Sequence, residues 1–355
     1  MASRTTEAGD LRERLGRCFE RWHEPAAAEL CDLLPDVLGG ELSPDATIRF
    51  ERLVAEVYRL VIGGKPGRSL VVKLLKPAIA QTDRLVAERW LPALGLGDGC
   101  PGLLGAAAQR DGRWVWHVYE DLGTESLAVR HQPERLAAAV DLIAELHTRA
   151  AVHPLLPEVR WRARDHGAHF LTSSVRDAIS GLDALATCRR EVPGGFHASR
   201  TRLRDRLERL LEDVPRRLRV MTELGGPDTL LHGDLWPKNV FVSTDGGRPR
   251  ARLIDWDHVG AGPFSYDLST LLYRSAVHER PWIMQRYREA MERAGFRLPG
   301  PEALNLLFHT AESARCAHSV LFDAMTVIDE GAGWAIEQLM DYDRWLESLR
   351  PPLPD

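Results

Sequence analysis

The segment 232–257 contains polar side chains whose types and spacing suit metal-assisted chemistry. Strand-like runs at 240–242 and 251–254 are separated by Asp-Gly-Gly, a turn signal, so they are predicted to pair as a hairpin. Asn239 stands just before the first run and Asp255 just after the second. Because paired strands lie about 4.8 Å apart, both oxygen-bearing side chains are expected at the same open end of the hairpin.

A third oxygen donor, Asp234, lies in the loop upstream and can return to that end. Two carboxylates and one amide that converge suit a hard cation such as Mg²⁺, which takes few protein oxygens and shares the rest with phosphates and water. Phosphoryl transfer needs such groups, because a carboxylate must orient the attacking hydroxyl and a metal must neutralise developing phosphate charge. The residues by themselves predict a metal site with oxygen ligands.

Lys73 is a candidate for the cation that holds the phosphates that are not transferred. It lies in the apolar run Val-Val-Lys-Leu-Leu, where a charged side chain needs a partner. The helix that follows offers two carboxylates for this pairing, with Glu88 as the first choice and Asp83 as the second. The alternative is a lysine at a strand edge whose ammonium group reaches solvent.

The elements that must position these side chains can be read from the hydrophobic pattern. A hairpin is predicted with strands at 57–62 and 70–75. A helix is expected at 80–94 and a third strand at 114–119. From about residue 133 the chain becomes mostly helical, and 132–151 has the leucine and alanine pattern of a buried helix.

This order of elements predicts an α+β fold with a small β-rich N-lobe and a large, mainly helical C-lobe. Residues 1–45 are expected to form a helical extension, in which 8–38 is helical. The apolar residues near helical spacing in that extension are Leu11, Leu15, Cys18, Phe19 and Trp22. The N-lobe is assigned to 46–122 and the C-lobe to 123–355, with a hinge at 120–124.

The composition is that of an ordinary soluble globular protein, with 44% hydrophobic and 27% charged residues and a formal net charge of −5. This charge argues against wholesale binding to nucleic acid or to an acidic membrane. The five cysteines are scattered and lack metal-ligand spacing. No apolar run approaches the ~20 residues that span a bilayer, so a cytoplasmic protein is expected. Acidic residues interrupt the arginines of 200–219, which favours a solvated helix over an RNA-binding one.

Two motifs resemble those of the aminoglycoside phosphotransferase and choline kinase superfamily, which shares the protein-kinase-like fold. They are HGDLWPKN, which begins at residue 232, and LIDWDHVGAGPFSYDL, which begins at residue 253. The likeness covers most of the chain from about residue 46. It implies Asp234 as the catalytic base, Asn239 and Asp255 as Mg²⁺ ligands, and Lys73 as the lysine that binds ATP.

The sequence Tyr-Glu-Asp-Leu-Gly at 119–123 resembles the hinge of the family, whose backbone receives the adenine. The resemblance therefore places Tyr119, Glu120 and Leu122 beside the nucleotide, with Glu88 joined to the site through the ATP-binding lysine.

Two features depart from the family pattern. The segment 52–58, at the position of the phosphate-covering loop, contains no glycine, which makes a close approach of the backbone to phosphate harder. Lys238 stands where the family often has glycine or another small residue, so it is either a contact to an anionic group or a solvated side chain.

The resemblance implies an enzyme that uses ATP and Mg²⁺ to phosphorylate a hydroxyl group of a small molecule. If acidic residues of the carboxy-terminal helices face the cleft, they favour a cationic acceptor such as an aminoglycoside-like antibiotic or an amino sugar. Those residues are Asp323, Asp329, Glu330, Glu337, Asp341 and Asp343, near Trp334 and Trp345.

Two alternatives remain open. A choline or ethanolamine kinase would need an aromatic cage for a quaternary ammonium group. A nucleotide-binding regulator without catalysis is supported by the glycine-free loop alone. The sequence allows either a monomer or a homodimer.

Overall fold

The computed structural model describes residues 13, 15–16, 24–39, 46–63, 67–187 and 192–354. The chain forms two compact units. The first unit comprises the described residues up to Arg135 together with Val240–Asp257. The second unit comprises Leu136–Asn239 and the described residues from His258 onwards.

A five-stranded antiparallel sheet with the order β1-β2-β3-β5-β4 forms the centre of the first unit. Its strands are Ile48–Val54 (β1), Val57–Ile62 (β2), Arg68–Leu75 (β3), Leu103–Ala108 (β4) and Val115–Glu120 (β5). The hairpin predicted at 57–62 and 70–75 is confirmed by β2 and β3. Alternate residues of β2, which include Tyr58 and Leu60, are buried, as expected for a strand with one face on the core.

The helices of this unit cover the sheet and lead into it. They are Ala27–Leu38 (α1), Pro77–Leu85 (α2) and Leu91–Ala93 (α3), with a π-helical turn at Val86–Trp90 between the last two. This continuous run confirms the helix predicted at 80–94. Of the helix predicted at 8–38, the structure describes α1 and the helical residues 13 and 15–16, with Leu15 buried. Leu11, Cys18, Phe19 and Trp22 lie outside the described residues.

A two-stranded ribbon completes the first unit. Val240–Asp245 (β8) and Arg248–Leu253 (β9) pair antiparallel, with Val240 opposite Leu253, which confirms the predicted hairpin. Leu127 donates its backbone N–H to the carbonyl of Val240 at 2.7 Å. The ribbon therefore belongs to the same compact unit as the five-stranded sheet.

The second unit is mainly helical. Its helices are Pro133–Ala151 (α4), which begins in the first unit, Leu156–Arg162 (α5), Ala168–Thr187 (α6), Phe196–Leu224 (α7), Ser265–Tyr273 (α8), Arg280–Arg293 (α9), Pro301–Glu330 (α10) and Gly333–Ser348 (α11). The helix α4 confirms the prediction at 132–151. The core lies between α6, α7, α10 and α11, where Leu203, Val320 and Leu339 are buried.

The sequence did not predict the small sheet of the second unit. Its strands are Arg164–Asp165 (β6), Asp228–Leu231 (β7) and Gly260–Pro263 (β10), in the order β6-β10-β7. These strands are too short to give a periodic signal. The predicted α+β class is confirmed, with a sheet-based first unit and a helical second unit. No helix in the described part of the chain is long and apolar enough to cross a membrane.

Candidate active site

Lys73 lies on β3 with its ammonium group between two carboxylates of the first unit. Nζ is 2.6 Å from Oδ1 of Asp255 and 2.7 Å from Oδ1 of Asp257. Burial alone would lower the pKa of Lys73, but the two aspartates outweigh it and raise that pKa above its usual value. The lysine of the apolar strand is thus a firmly charged cation, and its partners come from the segment that follows β9.

Glu88, the first choice for pairing with Lys73, does not reach it. Its carboxylate accepts a hydrogen bond of 2.6 Å from Nε of Arg84, one helical turn away, and both side chains are exposed. The second choice, Asp83, is buried on α2 and attracts the ammonium group of Lys73 less than the two aspartates do. The prediction misplaced the partner because Asp255 is 182 residues away in the chain.

Asp83 belongs to a buried polar cluster under the sheet. The hydroxyl of Tyr119 donates a hydrogen bond to Oδ2 of Asp83, and Nδ1 of His117 lies 2.8 Å from the same hydroxyl. Burial, together with the charge of Asp83, raises the pKa of Tyr119 well above its usual value, so its hydroxyl stays protonated as a donor. Tyr119, predicted beside the nucleotide, therefore turns its side chain inward and holds a carboxylate near Lys73.

The backbone of Asp255 adopts a left-handed conformation, with φ of 67°. Asparagine and aspartate tolerate this conformation better than most residues. Next to it, Trp256 is buried and its indole N–H donates to the carbonyl of Leu253 at 3.1 Å. This anchor fixes the turn so that the carboxylates of Asp255 and Asp257 both reach Lys73. Such local strain is typical of functional sites held by their surroundings.

The predicted hinge segment is tied to the sheet through Asp121. Its carboxylate accepts hydrogen bonds from Nε of Arg59 at 2.7 Å, from the hydroxyl of Ser69 at 2.5 Å and from the N–H of Gly123 at 2.9 Å. Burial alone would raise the pKa of Asp121, but these donors lower it, so the carboxylate stays ionised. The result is a rigid turn at the end of β5.

Two further hinge residues were predicted beside the nucleotide. Glu120 binds Nη1 of Arg252 at 2.6 Å, which joins β5 to the ribbon. Leu122 is half-buried, and its backbone groups make no hydrogen bond within the described part of the chain. The peptide that follows β5 therefore has backbone groups to which a ligand can hydrogen-bond.

The glycine-free loop is a two-residue turn, Ala55 and Glu56, between β1 and β2. Glu56 takes the left-handed conformation that glycine would adopt easily, with φ of 63°. Its carbonyl accepts the N–H of Leu74 at 2.8 Å, which holds the strained turn against β3. The turn is thus formed without glycine, at the cost of local strain.

In the second unit, Asp234 and Asn239 are brought together. The amide Nδ2 of Asn239 donates to the carbonyl of Asp234 at 2.9 Å and to its Oδ2 at 3.2 Å. Both of these acceptors require an N–H group, so Oδ1 of the amide is the atom that remains for a cation. Asn239 is buried and Asp234 is half-buried.

Asp267 anchors the loop that carries Asp234. Its fully buried carboxylate accepts the backbone N–H groups of His232 at 2.7 Å and Gly233 at 2.8 Å, and Nε2 of His147 lies 3.2 Å away. Burial alone would raise the pKa of Asp267, but these donors lower it. The sequence signalled this residue only as part of the Tyr-Asp-Leu motif, without indicating what it binds.

Gly233 and His232 shape the same loop. Gly233 has φ of 83°, and a Cβ there would lie 1.9 Å from the carbonyl oxygen of His258. His232 is buried, and its Nδ1 accepts a hydrogen bond from the backbone N–H of Asp234 at 3.3 Å. The loop is therefore held by backbone contacts on both sides of Asp234.

Cations and aromatic rings alternate beside this loop. The guanidinium of Arg274 lies 4.1 Å from the ring centre of Trp236, and Nζ of Lys238 lies 5.0 Å from the same ring. Buried Glu312 binds Arg274 at 2.9 Å and accepts the indole N–H of Trp345 at 3.0 Å. This stack fixes Trp236, two residues after Asp234.

The acidic residues of the carboxy-terminal helices are dispersed. Asp343 is buried and binds Ser199 and Arg202, and Asp341 pairs with Arg344. Burial raises the pKa of Asp323 to about 6. The remaining three, Asp329, Glu330 and Glu337, are exposed. They do not form one acidic surface of the kind that would explain a polycationic acceptor.

The donor set fits a magnesium ion that is shared with phosphates. Among the described residues, no three His, Cys, Asp or Glu side chains are placed to hold a metal by themselves. Magnesium commonly uses only one or two carboxylates and completes its coordination with phosphate and water. Asp255 and Asp257 both contact Lys73, so two carboxylates of this segment lie beside one cation.

Comparison with known proteins adds the family and the fold. A profile of the phosphotransferase enzyme family matches residues 54–307. A spectinomycin phosphotransferase solved with ADP and spectinomycin has 12% identity and a TM-score of 0.54, over 90% of this chain and 98% of that one. A phosphotransferase solved with GDP and kanamycin has 13% identity and a TM-score of 0.55, over 89% and 98%.

A choline kinase from Cryptosporidium parvum Iowa II has 8% identity and a TM-score of 0.58, over 86% of this chain and 90% of that one. At such identities these likenesses show the fold alone, which is protein-kinase-like. The search of curated proteins found no match.

Proposed function

Since this chain belongs to the phosphotransferase enzyme family, we propose that it transfers the γ-phosphoryl group of ATP to a hydroxyl group of a small molecule. The observation that carries the proposal is the contact of Lys73 with Asp255 and Asp257. It joins the strand lysine to the carboxylates after the hairpin, which are the two groups that phosphate and metal binding need.

The nucleotide is assigned to the first unit. Lys73 holds the phosphates that are not transferred, and the free backbone groups of Leu122, after Glu120, receive the adenine. The side chain of Tyr119 supports this site indirectly, by donating a hydrogen bond to the buried carboxylate of Asp83. Glu88, bound to Arg84 on the surface, has no part in this assignment.

The reacting groups are assigned to the loop of the second unit. Asp234 orients the acceptor hydroxyl and accepts its proton during attack on the γ-phosphate. Asn239 Oδ1 and the carboxylate of Asp255 hold Mg²⁺, which when bound neutralises charge on the phosphates. Asn239 also restrains Asp234 through its amide N–H group, so one side chain serves both the base and the metal.

For the acceptor we favour an aminoglycoside-like antibiotic, an amino sugar or a related hydroxylated metabolite. Two structures of similar fold contain spectinomycin or kanamycin, which supports this class. A choline or ethanolamine acceptor is the second candidate, because the choline kinase fold is equally similar. A regulator without catalysis is disfavoured by the ordered contact between Asp234 and Asn239.

The test is Asp234→Asn in the full-length protein, assayed by ADP release with aminoglycosides, amino sugars and amino alcohols. Loss of the base should lower turnover by about 100-fold or more, while ATP binding stays largely intact. Asp228→Asn is the control, because this half-exposed aspartate pairs only with Arg160 among the described residues. Full activity of Asp234→Asn would show that Asp234 is not the base. If the wild-type protein shows no turnover with any acceptor, the result favours the regulator without catalysis.

A further inference from the structure

A pocket of about 230 Å³ opens between α7, α10 and α11 of the second unit. Its polar lining consists mainly of arginines from α7, and one histidine and one serine from α10 complete it. These residues are Arg206, Arg209, Arg217, His309 and Ser313. Asp213 is the single carboxylate of the lining, and leucine side chains form the apolar part.

The pocket lining contains more arginine side chains than carboxylates. Asp213 is engaged by Arg217, whose Nε lies 2.8 Å from Oδ2. Arg209 is exposed and has no carboxylate within ion-pair distance in the described part of the chain. The contacts of Arg206 to Asp343 and Glu347 are long, at 3.4 Å each, and its buried Nε makes no hydrogen bond among the described residues.

Arg217 and His309 form the inner wall of the pocket, and Arg217 also donates hydrogen bonds to Asp213 and Thr310. Arg217 is 9% exposed, and its Nη1 lies 3.1 Å from Nδ1 of His309. Since a guanidinium group cannot accept a hydrogen bond, Nδ1 must be the acceptor. Burial, reinforced by the charge of Arg217, lowers the pKa of His309 to about 4. At neutral pH His309 is therefore uncharged and carries its proton on Nε2.

We propose that this pocket binds a small organic or inorganic dianion, such as a phosphate ester, a pyrophosphate or a dicarboxylate. Asp213 pairs with Arg217, and Arg206 has Asp343 and Glu347 at 3.4 Å. Arg209 is therefore the guanidinium group of the lining that has no carboxylate partner among the described residues. Guanidinium groups recognise such anions by paired, charge-assisted hydrogen bonds. With about 30 Å³ for each water in the liquid, the pocket has room for one phosphate and a few carbon atoms, which the leucines would contact.

The pocket is connected to the loop that carries Asp234 through α10. His309 and Ser313 face the pocket, while the intervening Glu312 binds Arg274. Arg274 in turn stacks on Trp236. A dianion that draws α7 towards α10 would act on the same helix that supports this loop.

The test is a calorimetric titration of the full-length protein with pyrophosphate at constant ionic strength. We expect saturable binding that is at least tenfold weaker in Arg209→Glu. The matched control is Arg219→Glu, which makes the same charge change at an exposed position of α7 outside the pocket. Equal affinity of Arg209→Glu and the wild type would overturn the proposal.

Pyrophosphate can also occupy the proposed nucleotide site, so Lys73→Met is measured in parallel. Binding that is lost in Lys73→Met and kept in Arg209→Glu would assign the anion to that site and refute the pocket. Arg217→Lys is the second pocket variant, because it keeps the charge and removes the paired geometry. It should weaken binding without abolishing it.

The dianion can be either an anionic group of the acceptor or a separate effector. Steady-state kinetics with pyrophosphate distinguish the two, and this experiment rests on the proposed function. Competition of pyrophosphate with the acceptor would assign the pocket to an anionic group of the acceptor. A change in turnover at saturating acceptor would assign it to a separate effector. Either effect must disappear in Arg209→Glu, and its persistence there would contradict the pocket. The calorimetric titration needs no turnover, so it stands even if the phosphotransferase proposal fails.

Discussion

The anchoring by Asp267 of the loop that carries Asp234 can be tested with one substitution. Asp267→Asn keeps the size of the side chain and replaces one carboxylate oxygen with an NH₂ group. In the wild type, Oδ2 receives the N–H of His232 at 2.7 Å and Nε2 of His147 at 3.2 Å, and Oδ1 receives the N–H of Gly233 at 2.8 Å. An asparagine has one oxygen for these three donors.

The magnitude follows from this count of donors. If the asparagine oxygen takes the place of Oδ2, the new NH₂ group takes the place of Oδ1 and faces the N–H of Gly233. Two buried donors, the N–H of Gly233 and the NH₂ group itself, are then left unpaired. Each unpaired buried group costs about 1–3 kcal/mol, so the free energy of unfolding should fall by about 2–6 kcal/mol. Asp228→Asn is the matched control. It breaks a half-exposed ion pair with Arg160, for which a loss below about 1 kcal/mol is expected.

The assay is urea-induced unfolding of both variants and the wild type at neutral pH, with ADP release measured on the same samples. Asp267→Asn should lose turnover as well as stability, because the loop that carries Asp234 loses its anchor. A decrease no larger than that of Asp228→Asn would refute the reasoning about unpaired donors.

The pH dependence gives a second readout with a defined sign. The pKa of Asp267 is lowered in the folded protein. Its contribution is therefore fully present above the unfolded-state pKa of about 4, and it is lost as the pH falls through the folded pKa. The stability difference between the wild type and Asp267→Asn should shrink in this acidic range. A difference that grows on acidification would contradict the assigned direction.

Three further outcomes are expected. Gly233→Ala should prevent folding of the loop and abolish turnover, because its Cβ would lie 1.9 Å from a carbonyl oxygen. The control is Gly112→Ala, which has a similar φ but open space around the new Cβ. It should lower the free energy of unfolding by only about 1 kcal/mol. Tyr119→Phe removes the donor to buried Asp83 and should cost about 1–3 kcal/mol. Tyr273→Phe, whose buried hydroxyl has no partner among the described residues, should cost nothing by the same measurement. Chelation of divalent cations should abolish ADP release without lowering the midpoint temperature of thermal unfolding. The reason is that the ammonium group of Lys73 already holds the carboxylates of Asp255 and Asp257 near the proposed metal. A fall in the midpoint temperature would show a structural metal instead.

Much of the local structure could be predicted because its cause is local. The turn residues between β8 and β9 set the hairpin, and apolar spacing set the helix at 132–151. The same reasoning found Lys73 as a charge in an apolar strand that needed a partner. The small sheet of β6, β7 and β10 was missed, because strands of two to four residues have no measurable period.

The sequence by itself indicated the groups of the proposed chemistry: the loop with Asp234 and Asn239, the aspartate after the ribbon, and a strand lysine. Tertiary structure decided which of these groups meet. Lys73 binds carboxylates 182 and 184 residues away instead of Glu88 in the next helix. The arginine pocket likewise joins α7 to α10, about a hundred positions apart. Secondary structure follows from neighbours a few residues away, whereas the pairing of buried charges depends on how distant segments pack, which local patterns do not encode.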